Sequence, residues 1–172
     1  MTAVQLATPD DAEAIAAFAE GSFTHTFGHI YDPADLALFL SSWNPPDRVR
    51  AQIASDDHDI ALVRSDAGAI LGYIKMGPLD FDLPADQPTD KAAELHQLYV
   101  AEAAKGTGVA AALMDWGIGW ARQRAAILYL SVFTENDRAQ AFYRRYGFTD
   151  VGRNAFRVGN HIDEDRFFRL DL

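Results

Sequence analysis

Hydrophobic positions recur with a helical period over the first part of the chain. In "TPDDAEAIAAFAEGSF", Ile15, Phe18 and Ala19 fall on one stripe behind Thr8, a typical N-cap residue. A short alternating segment, "AVQLA", precedes this helix and predicts a first strand. Two more helices are predicted at "DPADLALFLSSW" and "PPDRVRAQIAS", because each has proline in its first turn.

The period then changes to two. "HDIALVRSDAGAILGYIKMG" predicts a hairpin with its turn at Ser65 to Gly68, and "KAAELHQLYV" predicts the next strand. Helices at "TGVAAALMDWGIGWARQRA" and "NDRAQAFYRRYGF" flank a buried strand, "AILYLSVFT". Gly117 and Gly119 are expected to weaken the first of these helices. "FTDVGRNAFRV" and "EDRFFRLDL" predict a last hairpin.

This order of elements predicts an α/β (α+β) protein. Its central sheet should be mixed but mostly antiparallel, with about six to seven strands and helices on its flanks. No repeat, linker or low-complexity segment interrupts the chain, so we expect one domain over residues 1–172.

Composition narrows the function. The chain has no cysteine, which excludes a disulfide framework, a cysteine-ligated metal and a cysteine nucleophile. Its 25 acidic and 15 basic residues give a net charge of −10, which should repel nucleic acid and anionic membranes and could attract cationic small molecules. Neither a signal peptide nor a membrane-spanning run is visible, so we expect a cytoplasmic protein.

The stretch "KGTGVAAALM" is the first candidate for chemistry. Gly106, Gly108 and Ala111 fit G-x-G-x-x-A, a pattern typical of dinucleotide-binding folds. The acidic residue that such folds need comes ~20 residues later, whereas Glu135 lies farther away and too little chain follows it. A glycine loop at a helix N-terminus can bind an anion in any fold, with Lys105 adding charge. On its own, the loop could equally be a helix entry with no ligand.

A second pattern follows the buried strand. In "NDRAQAFYRRYGF", Asn136, Ala139 and Tyr143 stand at i, i+3 and i+7 and therefore share one helix face. The small alanine leaves a gap between an amide and a phenol. Taken alone, Tyr143 could also be a core aromatic residue whose hydroxyl is satisfied nearby.

Together, "ELHQLYVAEAAKGTGVAAALM" and "NDRAQAFYRRYGFTDVG" resemble the GCN5-related N-acetyltransferase (GNAT) superfamily, and so does the predicted element order. The segments "FTHTFGHIYDPADLALFL" and "FRVGNHIDEDRFFRLDL" resemble a bacterial branch that includes spermidine/spermine N-acetyltransferases. One position departs from the superfamily pattern: Ala103 stands where the phosphate loop usually has Gln or Arg, so Lys105 is the only cation of the loop. This departure puts tight binding of coenzyme A in doubt.

The resemblance implies that acetyl-CoA (coenzyme A) is the cofactor and that an amine is the acceptor. It implies a set of cofactor-binding residues along the strand end, the glycine loop and the second motif: Leu98, Tyr99, Val100, Lys105, Gly106, Thr107, Gly108, Val109, Ala110, Asn136, Ala139 and Tyr143. Tyr143 would also be the catalytic acid, because a phenol can protonate an alkyl thiolate of similar basicity.

The general base is open between Glu94 and His96, which share one face of a strand, with loss of the proton to bulk water as a further alternative. Phe27, Tyr31 and Glu94 are the candidate substrate-binding residues. We predict no metal site, although His25 and His29 stand at i, i+4, because a third ligand is missing. His161 is expected to be a turn residue.

The predicted function is therefore transfer of an acetyl group to a primary amine of a small molecule, directly within a ternary complex. A polyamine is one candidate acceptor, since the chain is acidic. The alternatives are a non-catalytic acyl-CoA-binding module and an acetyltransferase acting on a protein or peptide amine. The superfamily resemblance allows a homodimer.

Overall fold

A computed structural model describes residues 3–172. Its strands are β1 (Gln5–Leu6), β2 (Asp59–Arg64), β3 (Ile70–Pro78), β4 (Ala92–Val100), β5 (Ile127–Phe133), β6 (Thr149–Val158) and β7 (His161–Asp171). Its α-helices are α1 (Ala12–Phe27), α2 (Pro33–Trp43), α3 (Pro46–Ile53), α4 (Val109–Arg122) and α5 (Asp137–Arg145). Within residues 3–172, no helix is both long and apolar enough to span a membrane.

All seven strands form one sheet in the order β1-β2-β3-β4-β5-β7-β6. Every pairing is antiparallel except β4 with β5. The predicted mixed, mostly antiparallel sheet with flanking helices is thus confirmed. A doubly wound dinucleotide-binding sheet is excluded, since it needs a mostly parallel set of strands.

The parallel pair β4–β5 is joined only at its beginning. Its ladder runs from Ala92 opposite Ile127 to Glu94 opposite Tyr129, while β4 continues to Val100 and β5 to Phe133. The two strands therefore diverge and leave an unpaired edge on each. The register between β4 and β3 also shifts by one residue at His96.

Helix α4 covers one face of the sheet through an apolar stripe, with Leu113 and Met114 fully buried. Gly117 faces the sheet in this packing, and a Cβ there would lie 2.6 Å from Ile74 Cδ1 of β3, so the end of that side chain would have to shift. The glycine that was expected only to weaken the helix lets it approach the sheet. Helices α1 and α3 cover the opposite face around Tyr73.

Candidate active site

A cleft of about 1030 Å³ opens where β4 and β5 diverge. Most of the residues predicted from the sequence line it: Phe27, Tyr31, Glu94, His96, Leu98, Tyr99, Val100, Lys105, Gly106, Gly108, Ala110, Asn136, Ala139 and Tyr143. Thr107 and Val109 do not line the cleft. Val109 is the first residue of α4, and its side chain is buried in the core. The splayed strands, the glycine loop and the face of α5 therefore meet around one cavity.

The glycine loop presents backbone amides at the start of α4. Gly106 and Gly108 have φ of 82° and 93°, a left-handed conformation that glycine adopts without strain. Within residues 3–172, the amides of Gly106, Gly108, Val109 and Ala110 have no hydrogen-bond acceptor. Such a group of N–H donors at a helix N-terminus favours binding of an anion.

Two amides of the predicted phosphate loop are already used. The amide of Lys105 donates to the Glu102 carbonyl at 3.2 Å, and that of Thr107 donates to the Ala104 carbonyl at 3.3 Å. These two amides help to close the turn that shapes the loop, so they are less available to a ligand than the other four. The Lys105 ammonium forms an ion pair with the Glu102 carboxylate.

Two side chains of the α5 motif are positioned by the helix itself. Asn136 caps α5, since its Oδ1 accepts from the Ala139 amide at 3.1 Å, and the same residue lines the cleft. Tyr143 is only 8% exposed, and its hydroxyl has no hydrogen-bond partner within residues 3–172. Burial raises the pKa of this phenol. The hydroxyl therefore remains a proton donor that is available to a ligand.

The two candidate bases contact each other. His96 Nδ1 lies 3.0 Å from Glu94 Oε1, and His96 Nε2 lies 3.0 Å from the Pro78 carbonyl oxygen. Each ring nitrogen of His96 therefore has an oxygen within hydrogen-bond distance, and one of these oxygens belongs to Glu94. The second carboxylate oxygen of Glu94 accepts from the Asp80 amide at 2.8 Å. This geometry favours one coupled Glu94–His96 unit over two independent bases.

The other half of the cleft is aromatic. Phe27 packs edge-on against Phe133 of β5 with ring centroids 5.8 Å apart, and Tyr31 stacks on Phe23 at 6.0 Å. Phe156 of β6 joins the same cluster. Phe27 and Tyr31, the predicted substrate-binding residues, thus lie on one wall of the cleft.

Sequence reasoning missed two carboxylates on β7. Asp163 and Asp165 line the cleft and are 6% and 8% exposed. Asp163 accepts from the Tyr31 hydroxyl and contacts His161 Nε2 at 2.9 Å, while Asp165 accepts from the Ser131 hydroxyl at 2.9 Å. Burial, assisted by the charge of Asp163, raises the pKa of Asp165 to about 6, against the opposing effect of the Ser131 hydrogen bond. A signal was present: alternation places both acids in the row of the buried Phe167.

Comparison with known proteins identifies the family. The model of the acetyltransferase (GNAT) family matches residues 12–148. An uncharacterised N-acetyltransferase of Mycobacterium tuberculosis is 31% identical over 156 residues, which cover 90% of this chain and 94% of that protein. The N-alpha-acetyltransferase RimI of the same species is 32% identical over 116 residues, or 66% of this chain and 68% of that protein.

The chain belongs to the GNAT acetyltransferase family. Its fold is also similar to that of the PaiA N-acetyltransferase from Thermoplasma acidophilum, whose crystal structure is a complex with coenzyme A. The TM-score is 0.78 and the alignment covers 100% of this chain and 99% of that one, at 15% identity. The protein is an N-acetyltransferase, and acetyl-CoA is the cofactor of its family.

The cleft of this acetyltransferase fits coenzyme A. The cofactor has a pyrophosphate, which matches the N–H donors of the glycine loop, and an amide-containing arm, which matches the unpaired edge of β4. The amide of Ala101 donates to the Leu71 carbonyl of the β3 side at 2.8 Å, so strand alternation directs the Val100 N–H to the open edge. This N–H is therefore a backbone donor at the open edge of β4.

A buried lysine of the acetyltransferase was also missed. Lys75 lines the cleft and is 5% exposed, and its ammonium donates to Asn44 Oδ1 at 3.3 Å and Gln52 Oε1 at 3.2 Å. Burial lowers the pKa of Lys75 to about 8, and the nearby Arg48 adds to this effect.

The structure also gives the positions of the other three histidines considered from the sequence, His25, His29 and His161. His25 lies in α1 at 3.6 Å from Glu102, whereas His29 lies beyond the end of that helix. Within residues 3–172, no group of three or more histidine and acidic side chains has an arrangement suited to a metal ion. His161, expected in a turn, is the first residue of β7 and contacts both Tyr31 and Asp163.

Proposed function

We propose that residues 1–172 form one acetyltransferase domain that acetylates a primary amine of a small molecule by direct transfer in a ternary complex. The observation that carries this proposal is Tyr143, a buried residue of the cleft whose hydroxyl has no hydrogen-bond partner among residues 3–172. An enzyme that needs to protonate a leaving group requires such a donor. The absence of cysteine in the chain supports direct transfer over a thiol-linked acyl-enzyme.

The cofactor half of the cleft has two tasks. Acetyl-CoA supplies an activated acetyl group as a thioester. The amides of Gly106, Gly108, Val109 and Ala110 hold the pyrophosphate, while the open edge of β4 from Leu98 to Val100 holds the amide-containing arm. The Val100 N–H polarises the thioester carbonyl, a fixed dipole that needs no reorganisation during the reaction. Asn136 Nδ2 adds a donor on the opposite wall.

Proton transfer is divided between two places. Tyr143 donates its proton to the thiolate that leaves, because a phenol whose ionisation is disfavoured by burial stays protonated until a strong base appears. Glu94 and His96 stand at the β4 bulge on the acceptor side and together orient the amine or a water that takes its proton. The choice of base stays a prediction.

The acceptor half supports a cationic small molecule. Aromatic rings and the two carboxylates on β7 line it, and the chain carries a net charge of −10. A polyamine matches these features. The resemblance to the spermidine/spermine branch supports the same class of acceptor. A protein amine is the second candidate, because the similar RimI protein is an N-alpha-acetyltransferase.

The test is thiol release from acetyl-CoA across a panel of primary amines and N-terminal peptides, with Tyr143→Phe as the reference variant. We expect release with small amines and a much lower rate in the variant. Coenzyme A binding without release for any amine or peptide would reject the enzymatic proposal and favour a non-catalytic acyl-CoA-binding module. Release with peptides alone would move the acceptor to proteins.

A further inference from the structure

Asp165 is a buried carboxylate without a protein counter-charge. It is 8% exposed, and within residues 3–172 no Lys, Arg or His nitrogen lies at ion-pair distance from it. Its one hydrogen bond comes from the Ser131 hydroxyl to Oδ2 at 2.9 Å, and Asn154 in turn donates to that hydroxyl at 3.3 Å. A buried carboxylate with so few partners is costly to keep ionised.

The second oxygen of Asp165 faces the cleft. Among side-chain atoms of residues 3–172, Asn44 Nδ2 is the only fully enclosed polar atom that lacks a partner. No donor within residues 3–172 reaches Asp165 Oδ1 either, so this oxygen is not fully enclosed and is accessible from the cleft that Asp165 lines. The neighbouring Asp163 is different, because Tyr31 and His161 occupy its two oxygens.

The space in front of Asp165 is walled by aromatic rings. Phe133 stands opposite Asp165 in the β5–β7 ladder, and the ring of Phe27 packs edge-on against the ring of Phe133. Tyr31 and Phe156 complete the wall. A carboxylate behind aromatic faces is a favourable environment for an organic cation, which gains both the charge interaction and contact with the ring faces.

We propose that Asp165 binds a second cationic group of the acceptor and thereby selects amines that carry two charges. The assignment rests on the proposed acetyl transfer to a small amine. The reacting amine must be neutral when it attacks. Once this amine has lost its proton, it no longer forms an ion pair with a buried carboxylate. A second ammonium or guanidinium group keeps its charge throughout and can stay paired with Asp165. The acceptor class is therefore an aliphatic amine with a distal cation.

The experiment compares a four-carbon α,ω-diamine with butylamine, which has the same chain and one amine fewer. Steady-state thiol release is measured for the wild type, Asp165→Asn and Glu164→Gln. The last variant is the matched control, because Glu164 is the preceding residue of β7, is exposed and pairs with Arg153 outside the cleft. Thermal melts establish that each variant is folded.

We expect the wild type to prefer the diamine. Asp165→Asn should raise KM for the diamine by roughly 10- to 100-fold, the range for loss of a hydrogen bond to a charged group. It should raise the butylamine KM much less than the diamine KM, and Glu164→Gln should change neither KM. Asp165→Glu should restore part of the preference for the diamine.

Other outcomes overturn the assignment. An equal loss of kcat for both amines would make Asp165 part of the proton-transfer machinery, and an unchanged diamine KM would remove it from recognition. If the wild type acetylates neither amine, the panel of amines and peptides decides the proposed function separately, and calorimetric titration of the diamine in the presence of coenzyme A still decides the binding site. Diamine binding that is tighter than butylamine binding and sensitive to Asp165→Asn supports the subsite, and any other pattern rejects it.

Discussion

Replacing Asp165 with asparagine should stabilise the folded protein at neutral and alkaline pH. The pKa of Asp165 is raised from 3.8 to about 6 by burial, with the charge of Asp163 adding to it, so the folded state binds this proton more tightly than the unfolded state does. Each pKa unit corresponds to ~1.4 kcal/mol, so the ionised carboxylate destabilises the fold by about 3 kcal/mol above pH ~7. The wild type should therefore gain stability as the pH falls from above the folded pKa toward ~4.

Asparagine removes this dependence and keeps an oxygen that can accept from Ser131. We expect Asp165→Asn to be more stable than the wild type by up to about 3 kcal/mol near pH 8, with the difference vanishing near pH 4. Urea unfolding at a series of pH values measures it as the change in midpoint. Glu164→Gln is the control, because its exposed ion pair with Arg153 should contribute at most about 1 kcal/mol.

Three ionisable groups interact electrostatically with Asp165. The charge of Asp163 raises the pKa of Asp165, and the charge of Asp165 raises the pKa values of Tyr31 and Tyr99. The pKa values of both tyrosines are raised, so these phenols stay neutral over the range measured. A variant that is less stable than the wild type at every pH would refute the reasoning, because it would mean that the fold compensates the ionised carboxylate. A diamine at high concentration should narrow the gap, since it binds the ionised wild type more tightly than the variant.

Three further predictions concern the cofactor half and the core. Tyr143→Phe should lower kcat by roughly 10²- to 10⁴-fold while calorimetry finds nearly the same affinity for coenzyme A, and equal kcat values would rule out the acid role. Gly108→Ala places a Cβ at φ 93°, which should cost about 1–2 kcal/mol and reduce the thermal shift caused by coenzyme A. An unaltered shift would mean that the loop does not hold the cofactor. Gly117→Ala should lower the free energy of unfolding by about 1–3 kcal/mol, because Ile74 must move, and a fully stable variant would contradict that contact.

The order of elements could be predicted because each segment has a clear period. Val109, Leu113, Trp116 and Trp120 of α4 are apolar at helical spacing; three of them are buried, and Trp116 is partly buried against the same core. The splay between β4 and β5 could not be predicted in the same way. It depends on where the ladder stops after Glu94, and nothing in "ELHQLYV" marks that point, since the strand continues beyond it.

The cofactor half of the site was more predictable than the acceptor half. The glycine loop and the α5 face are local patterns, so spacing alone brings Asn136, Ala139 and Tyr143 together. The acceptor half is assembled from α1, β5, β6 and β7, which are distant in sequence. Asp163 and Asp165 alternate with polar neighbours, as residues on a solvated strand also do. Only the packing of α1 aromatics over β7 turns this row of the strand into a wall of the cleft.

The departure at Ala103 can now be weighed against the loop geometry. A Gln or Arg at this position could add a donor to the phosphate site, and here Lys105, the only cation of the loop, is paired with Glu102. Arg138 on α5 lines the same cleft and interacts electrostatically with Glu102. Backbone amides do not depend on either side chain, because they are fixed by the left-handed glycines and the start of α4. In the proposed site, the pyrophosphate would therefore be held by backbone amides, and Arg138 of the same cleft would add positive charge.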